Sequence, residues 1–234
     1  LNGITADRFD DRQRLLNCFD NLRRDIDSSG IVEGMDAFNK EAVNVITSNR
    51  LLTALDTRKE DPKTVERYGK TGRNFMLARR LVEAGARFVT LSTGGWDTHN
   101  DNFNKCRKIL PDLDRGVGNL IQDLRDRNML NDVTVVVWGE FGRTPHAQGG
   151  DGRDHNNKGY TTWMAGGGVK GGFSYGATDE YGYEAVQGKM HIHDWHATIL
   201  HLLGLDHEKL TFRHAGRDFR LTDVHGHVAK DILA

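Results

Sequence analysis

Arg87-Phe88-Val89-Thr90-Leu91-Ser92-Thr93-Gly94-Gly95-Trp96-Asp97-Thr98-His99 reads as a strand, a turn and a pair of ligand-type side chains. Phe88, Val89 and Leu91 suit a strand over 87–93, and Gly94-Gly95 lets the chain turn sharply. In open α/β sheets, ligands bind in the crevice beyond the carboxyl ends of the strands. A carboxylate and an imidazole two positions apart offer oxygen and nitrogen donors suited to zinc, manganese or a similar divalent ion. The same residues also fit a turn aspartate capping the next segment beside a surface histidine.

Working outward, Val133-Thr134-Val135-Val136-Val137-Trp138 is a continuous β-branched run. Such a run suits a strand buried on both faces, as in a parallel sheet covered by helices. A third apolar segment lies around Thr161-Thr162-Trp163-Met164-Ala165. Leu113, Val117, Leu120 and Leu124 form a helical face between the first two strands, with Pro111 as its start or a kink. After Gly166-Gly167-Gly168 the chain reads as turns and short strands to about Met190. A helix over 194–203 ends at Gly204, and the tail over 216–234 reads as loop plus a short helix.

The first 85 residues read as helical. Leu15, Phe19, Leu22 and Ile26 recur at helix spacing before a stop at Gly30, and Phe38, Ala42, Val45 or Ile46, and Leu52 continue a second face. Asp61-Pro62 is a helix start, and that helix runs through Phe75, Leu81 and Val82 to Gly85. The charged faces of these helices read as solvated. The pattern predicts an α/β protein with a three-layer α/β/α domain over 61–234 and a helical segment over 1–60 packing on it. Sheets of this class usually have about five or more strands, and only three central ones are legible here. Part of the sheet is therefore expected to be missing on the N-terminal side, in a chain that starts at Leu1 rather than Met.

The 234 residues carry 32 Lys and Arg against 33 Asp and Glu, a net charge of -1, so nothing points to nucleic acid or another polyanion. No apolar run approaches the roughly 20 residues that span a bilayer. No secretory signal is visible. Cys18 and Cys106 match no metal or redox spacing.

Four polar clusters could carry chemistry. The first is Asp97, His99 and Asp101; the second is Glu140 with Arg143, directly after the β-branched strand. The third is Arg153-Asp154-His155 in a glycine- and asparagine-rich loop; the fourth is His191, His193, Asp194 and His196 at a helix start. A metal-dependent hydrolase needs ligands converging from separate loops, a cation to hold an anionic substrate, and an open coordination position. Asp97, His99, Glu140 and His155 could supply the ligands. Arg143 offers a planar fork for phosphate or sulfate oxygens, or pairs with Glu140 or Asp154. Asp194 fits a helix N-cap. His196 shares a helix side with Leu200 and Leu203 and reads as packed. His191, His207, His214, His225 and His227 read as surface residues.

The strings Gly95-Trp96-Asp97-Thr98-His99, Val137-Trp138-Gly139-Glu140-Phe141-Gly142-Arg143-Thr144-Pro145 and Arg153-Asp154-His155 resemble the bacterial DUF1501 family. So do the stretches Asp194–Gly204 and Gly216–Asp223. That family is placed in the alkaline phosphatase-like superfamily, with sulfatases and phosphodiesterases; its own activity is largely uncharacterised. The resemblance implies a metal-dependent hydrolase of sulfate or phosphate esters, with a divalent ion (Zn, Mn or Ca) and a small anionic ester or a sulfated or phosphorylated glycan as substrate. It implies Asp97, His99, Glu140 and His155 as metal ligands and Arg143 and Glu140 as catalytic groups. Glu140 stands where the superfamily has the aspartate of an Asp-His pair, and Phe141 stands where the histidine would be. A single metal, or a non-catalytic ligand- or glycan-binding relative, fits that loss. The superfamily nucleophile has no counterpart here and is expected upstream of Leu1. Members of the family are usually exported, which implies the periplasm or cell envelope.

Overall fold

The computed structural model describes residues 49–234 throughout, together with residues 5, 7, 8, 10–12, 14 and 37–39. The helical faces expected on Leu15–Ile26 and Ala42–Ile46, and Cys18, lie outside the described residues. The chain divides into two compact units: Leu1–Gly69 with Arg73–Leu91, and Lys70–Gly72 with Ser92–Ala234. The sequence-based boundary near residue 60 falls inside the first of these. Mixed helix and small antiparallel sheets make up the described residues. Among the described residues no helix is long and apolar enough to cross a membrane.

The first unit contains α1 (Asn49–Leu55), a 3-10 turn (Thr57–Lys59), α2 (Pro62–Tyr68) and α3 (Arg73–Glu83). Helix α2 starts as Asp61-Pro62 predicts: the Asp61 carboxylate accepts the Lys63 and Thr64 amides at 3.4 and 3.3 Å, and Pro62 needs no amide partner. The single helix expected over 61–85 is in fact two. Gly69 adopts φ +67, a backbone through which no right-handed helix continues, and α3 restarts at Arg73. Gly85 ends α3 as expected, with φ +106.

Not all charges on these helices are solvated. Arg79, Arg80 and Glu60 are buried, at 1, 9 and 8% exposure. Glu60 Oε2 accepts Arg79 at 2.5 Å and Arg80 at 2.6 Å. Arg80 also donates to the Thr53, Ala54 and Asp56 carbonyls, satisfying the C-terminal end of α1. Helix periodicity cannot show this, because the burial comes from α1 and the 3-10 turn folding back over α3. Burial pushes the Glu60 carboxyl up, but the hydrogen bonds from Arg80 and Arg79 outweigh it and hold the group at about 2. Its ordinary value is 4.5. The stabilisation is therefore complete above about 4.5 and is lost as the pH falls towards 2. Glu60→Gln leaves two buried guanidiniums short of a counter-charge and is expected to cost about 3 kcal/mol, read in urea melts at neutral pH. The variant's stability should then fall less steeply with acid than that of the wild type between pH 4.5 and 2.

In the second unit, α4 (Asn102–Asp126) leads to β1 (Thr134–Val137), and β4 is Trp163–Gly166. Pro111 sits inside α4, and Leu120 and Leu124 on its inner face are buried. Strand β1 pairs with β4 in antiparallel register, Val135 opposite Ala165 and Val137 opposite Trp163. Between them lies a short hairpin of β2 (Gly142–Arg143) and β3 (His155–Asn156), with Arg143 opposite His155. Two further antiparallel pairs follow: β5 (Ala177–Thr178) with β6 (Ala185–Gln187), and β7 (Thr211–His214) with β8 (Arg217–Arg220). The parallel sheet read from the β-branched run is not what forms around β1. The connection from β1 to β4 carries a hairpin and loops and no helix, whereas a parallel return needs a crossover, usually helical. Each residue of β1 is half-buried instead of enclosed on both faces.

The strand expected over 87–93 is irregular backbone. Phe88 and Leu91 are 63 and 41% exposed, and an apolar run becomes a strand only when a neighbouring backbone completes its ladder.

Helix α5 (Ile192–Leu202) begins two residues before the predicted start and ends before Gly204 as expected. His191 is the N-cap and Asp194 the reciprocal partner three residues on: His191 Nδ1 accepts the His193 amide and Asp194 Oδ2 accepts the His191 amide at 2.8 Å. The second Asp194 oxygen accepts the His227 amide at 2.8 Å, tying the tail to α5. His196 is exposed, not packed, with Nδ1 2.8 Å from the Ile192 carbonyl. His207 is buried, not at the surface, because its Nδ1 pairs with the buried Thr222 hydroxyl at 2.9 Å.

Candidate metal centre

Thr98 sets the site up. It is 1% exposed, its hydroxyl donates to Asn102 Oδ1 at the start of α4, and its carbonyl accepts the Arg153 amide at 3.0 Å. With Thr98 turned inward, the flanking Asp97 and His99 stay accessible, at 67 and 44% side-chain exposure. Gly152 makes the contact with the 150s loop workable. A Cβ there would lie 1.9 Å from the His99 carbonyl oxygen, so only glycine permits this approach.

The hairpin β2–β3 supplies the other side. Cross-strand pairing puts Arg143 beside His155. Buried Thr144 locks the hairpin end: its amide donates to the Asp154 carbonyl at 2.9 Å, and its hydroxyl accepts the Asp154 amide at 3.1 Å. Asp154 in turn accepts the His155 amide at 2.8 Å.

All of these side chains meet at one atom. Asp97 Oδ1 lies 3.0 Å from His99 Nε2, 3.0 Å from His155 Nε2 and 2.8 Å from an Arg143 terminal nitrogen. The two imidazole rings are 4.9 Å apart, and His99 Nδ1 is 3.8 Å from Asp154 Oδ1. Phe141 stacks on His155 at 4.1 Å between ring centres, and the Arg143 guanidinium lies 5.7 Å from the Phe141 ring centre. The hydrogen bonds from His155 and Arg143, aided by the charge of His99, hold the Asp97 carboxyl at about 2 against an ordinary 3.8. Asp97 is thus an anion across the neutral range.

Of the four ligands read from the sequence, Asp97, His99 and His155 come together, with donor atoms all within 4.8 Å of one another. Glu140 does not join them; it is exposed in the bend after β1. Arg143 pairs with Asp97 instead of with Glu140 or Asp154. Asp101 does not face the group either. Its amide donates to Asp151 and its carboxylate accepts from Asn104. The stacking of Phe141 and the role of Gly152 are not evident from local sequence pattern. The string Gly149-Gly150-Asp151-Gly152 was the available signal for a close backbone approach.

The chemistry of the donor set suits a divalent cation. Zn–N and Zn–O bonds of about 2.0–2.2 Å in a tetrahedron place neighbouring donors about 3.3 Å apart. The 3.0 Å separations at Asp97 Oδ1 are hydrogen-bond distances within a few tenths of an ångström of that, and the whole donor set lies within 4.8 Å. Arg143→Gln removes one of the two donors that hold Asp97 down. The Asp97 carboxyl is expected to titrate higher than in the wild type, moving from about 2 towards 3.8, as read by carbon-13 NMR of the side-chain carboxyl.

A family model described as "Protein of unknown function (DUF1501)" matches residues 2–233. No curated protein and no solved structure matches the chain.

Proposed function

The chain belongs to the DUF1501 family, and from that premise we propose that it is a metal-dependent hydrolase of sulfate or phosphate esters. The observation that carries this reading is the convergence of His99, His155 and Arg143 on Asp97 Oδ1 at 2.8–3.0 Å. Asp97, His99 and His155 would hold one divalent cation, zinc, manganese or calcium, with a position left for substrate. When bound, the cation supplies Lewis acidity, drawing electron density from an ester oxygen. Asp97 remains anionic and would supply one of the three ligand atoms. Arg143 carries a forked cation that recognises the remaining sulfate or phosphate oxygens and stabilises charge developing on them. Phe141 covers one face of His155. The substrate is a small anionic ester or the anionic group of a glycan. In this reading the chain has a three-layer α/β/α alkaline phosphatase-like fold and works in the bacterial envelope after export.

A second reading is supported by Phe141. An apolar ring stands on His155 where the superfamily pattern would place a further ligand histidine, which leaves three donors. A non-catalytic relative would use the same cluster to bind an anionic ligand without turning it over.

Elemental mass spectrometry of untagged protein, wild type and Asp97→Ala/His155→Ala, tests the centre. Stoichiometric metal in the wild type and none in the double variant is the expected result. A wild type that stays empty after incubation with zinc, manganese and calcium removes the metal reading. Turnover of 4-nitrophenyl phosphate or sulfate by the loaded protein separates the hydrolase from the binding relative. Gly152→Ala, which forces the His99 backbone to move, is expected to weaken metal binding by roughly tenfold or more with the helical circular dichroism unchanged.

A further inference from the structure

We propose that Arg143 is a charge-exchange residue. It holds Asp97 as a counter-ion, yields that carboxylate to a divalent cation, and turns its freed guanidinium to the anionic group of the ester. The proposal rests on the reading of Asp97, His99 and His155 as cation ligands.

The crowding of one atom carries it. Asp97 Oδ1 lies within 2.8–3.0 Å of three nitrogens, from His99, His155 and Arg143. A carboxylate oxygen offers about two lone pairs, so three partners already exceed what Oδ1 accepts well. A cation held through this oxygen displaces at least one of them. The two imidazoles can stay. Each becomes a ligand through the Nε2 that faces Oδ1, with its ring proton on Nδ1. For His99 that proton faces Asp154, whose Oδ1 is 3.8 Å from Nδ1. Arg143 has no such option. A guanidinium has only N–H donors and a permanent positive charge, so it cannot ligate and it repels the ion. Arg143 is the partner that leaves.

The surroundings of Arg143 suit a movement of the side chain alone. Its backbone is held by the pairing with His155 across β2–β3, so the guanidinium stays beside the centre when it moves. One of its terminal nitrogens donates to the Arg153 carbonyl at 3.3 Å, and its guanidinium carbon lies 5.7 Å from the Phe141 ring centre. Both contacts are longer than the 2.8 Å contact with Asp97, and the side chain is 25% exposed. While Asp97 neutralises Arg143, the guanidinium has little charge to offer an anion. Once released, it presents its planar fork to sulfate or phosphate oxygens. The ester therefore gains its Arg143 contact only after a cation is held.

The sign of one measurement separates this role from a structural one. An arginine that only braced the hairpin would support the ligands, and its loss would weaken cation binding. An arginine that competes with the cation does the opposite. The test is calorimetric titration of zinc and of manganese into the untagged full chain. It compares wild type with Arg143→Gln, Arg143→Lys and Arg213→Gln, the last altering an arginine paired with Asp218. Arg143→Gln is expected to bind each ion about tenfold more tightly than the wild type. Arg143→Lys keeps the charge and should stay close to the wild type, as should Arg213→Gln. Inorganic sulfate should bind the zinc-loaded wild type and bind zinc-loaded Arg143→Gln about tenfold more weakly. Circular dichroism checks that each variant is folded. Equal or weaker ion binding by Arg143→Gln, or no ion bound by either protein, overturns the exchange. Tighter ion binding by Arg143→Gln, in a protein that cleaves no ester, keeps the exchange and removes the hydrolase reading. Ester cleavage by the wild type with ion affinity unchanged in Arg143→Gln does the reverse.

Discussion

The pairing of Arg143 with His155 across the β2–β3 hairpin is the constraint on which the candidate centre depends. Two residues on each strand suffice to put a guanidinium and an imidazole on Asp97. So short a ladder has little stability of its own. It is reinforced by Thr144, which bonds both backbone groups of Asp154, and by Asn156, which reaches to Tyr183. These buried polar side chains replace the hydrophobic core that a two-residue hairpin cannot build. Their satisfied hydrogen bonds also fix one geometry, where apolar packing would tolerate several.

The charges gather at the centre for the same reason. Asp97 is well exposed, so its carboxylate incurs little desolvation, and the hydrogen bonds from His155 and Arg143, with the charge of His99, keep it ionised. Glu60 in the first unit reaches a similarly low titration range by the opposite route. There burial works against the anion, and two buried arginines outweigh it. One carboxylate stays accessible at the surface and the other holds helices together.

Aromatic rings divide in the same way. Phe141 is placed against His155, where it limits how the imidazole can rotate. Tyr181 stands free at a turn while Tyr183 is bonded through its backbone to the hairpin.

Local chemistry was legible in the sequence wherever a residue acts on its own backbone. Asp61-Pro62 starts a helix, Gly85 and Gly204 end helices, and the β-branched run at 134–137 is extended. Asp97, His99 and His155 were also legible as ligand types, because only a few side chains carry those donors. The sequence did not decide what lies beside what. Phe88–Leu91 has strand composition without a ladder partner, and β1 pairs antiparallel because no crossover helix intervenes. Glu140 looked equivalent to Asp97 as a donor, yet the bend after β1 leaves it outside the group. His207 and Arg79 are polar residues that periodicity places at the surface, and partners distant in sequence, Thr222 and Glu60, bury them. Residue type determines which donors and turns a chain can offer. Hydrogen-bond partners far along the chain determine which of them converge, since a buried polar group is stable only where another segment satisfies it.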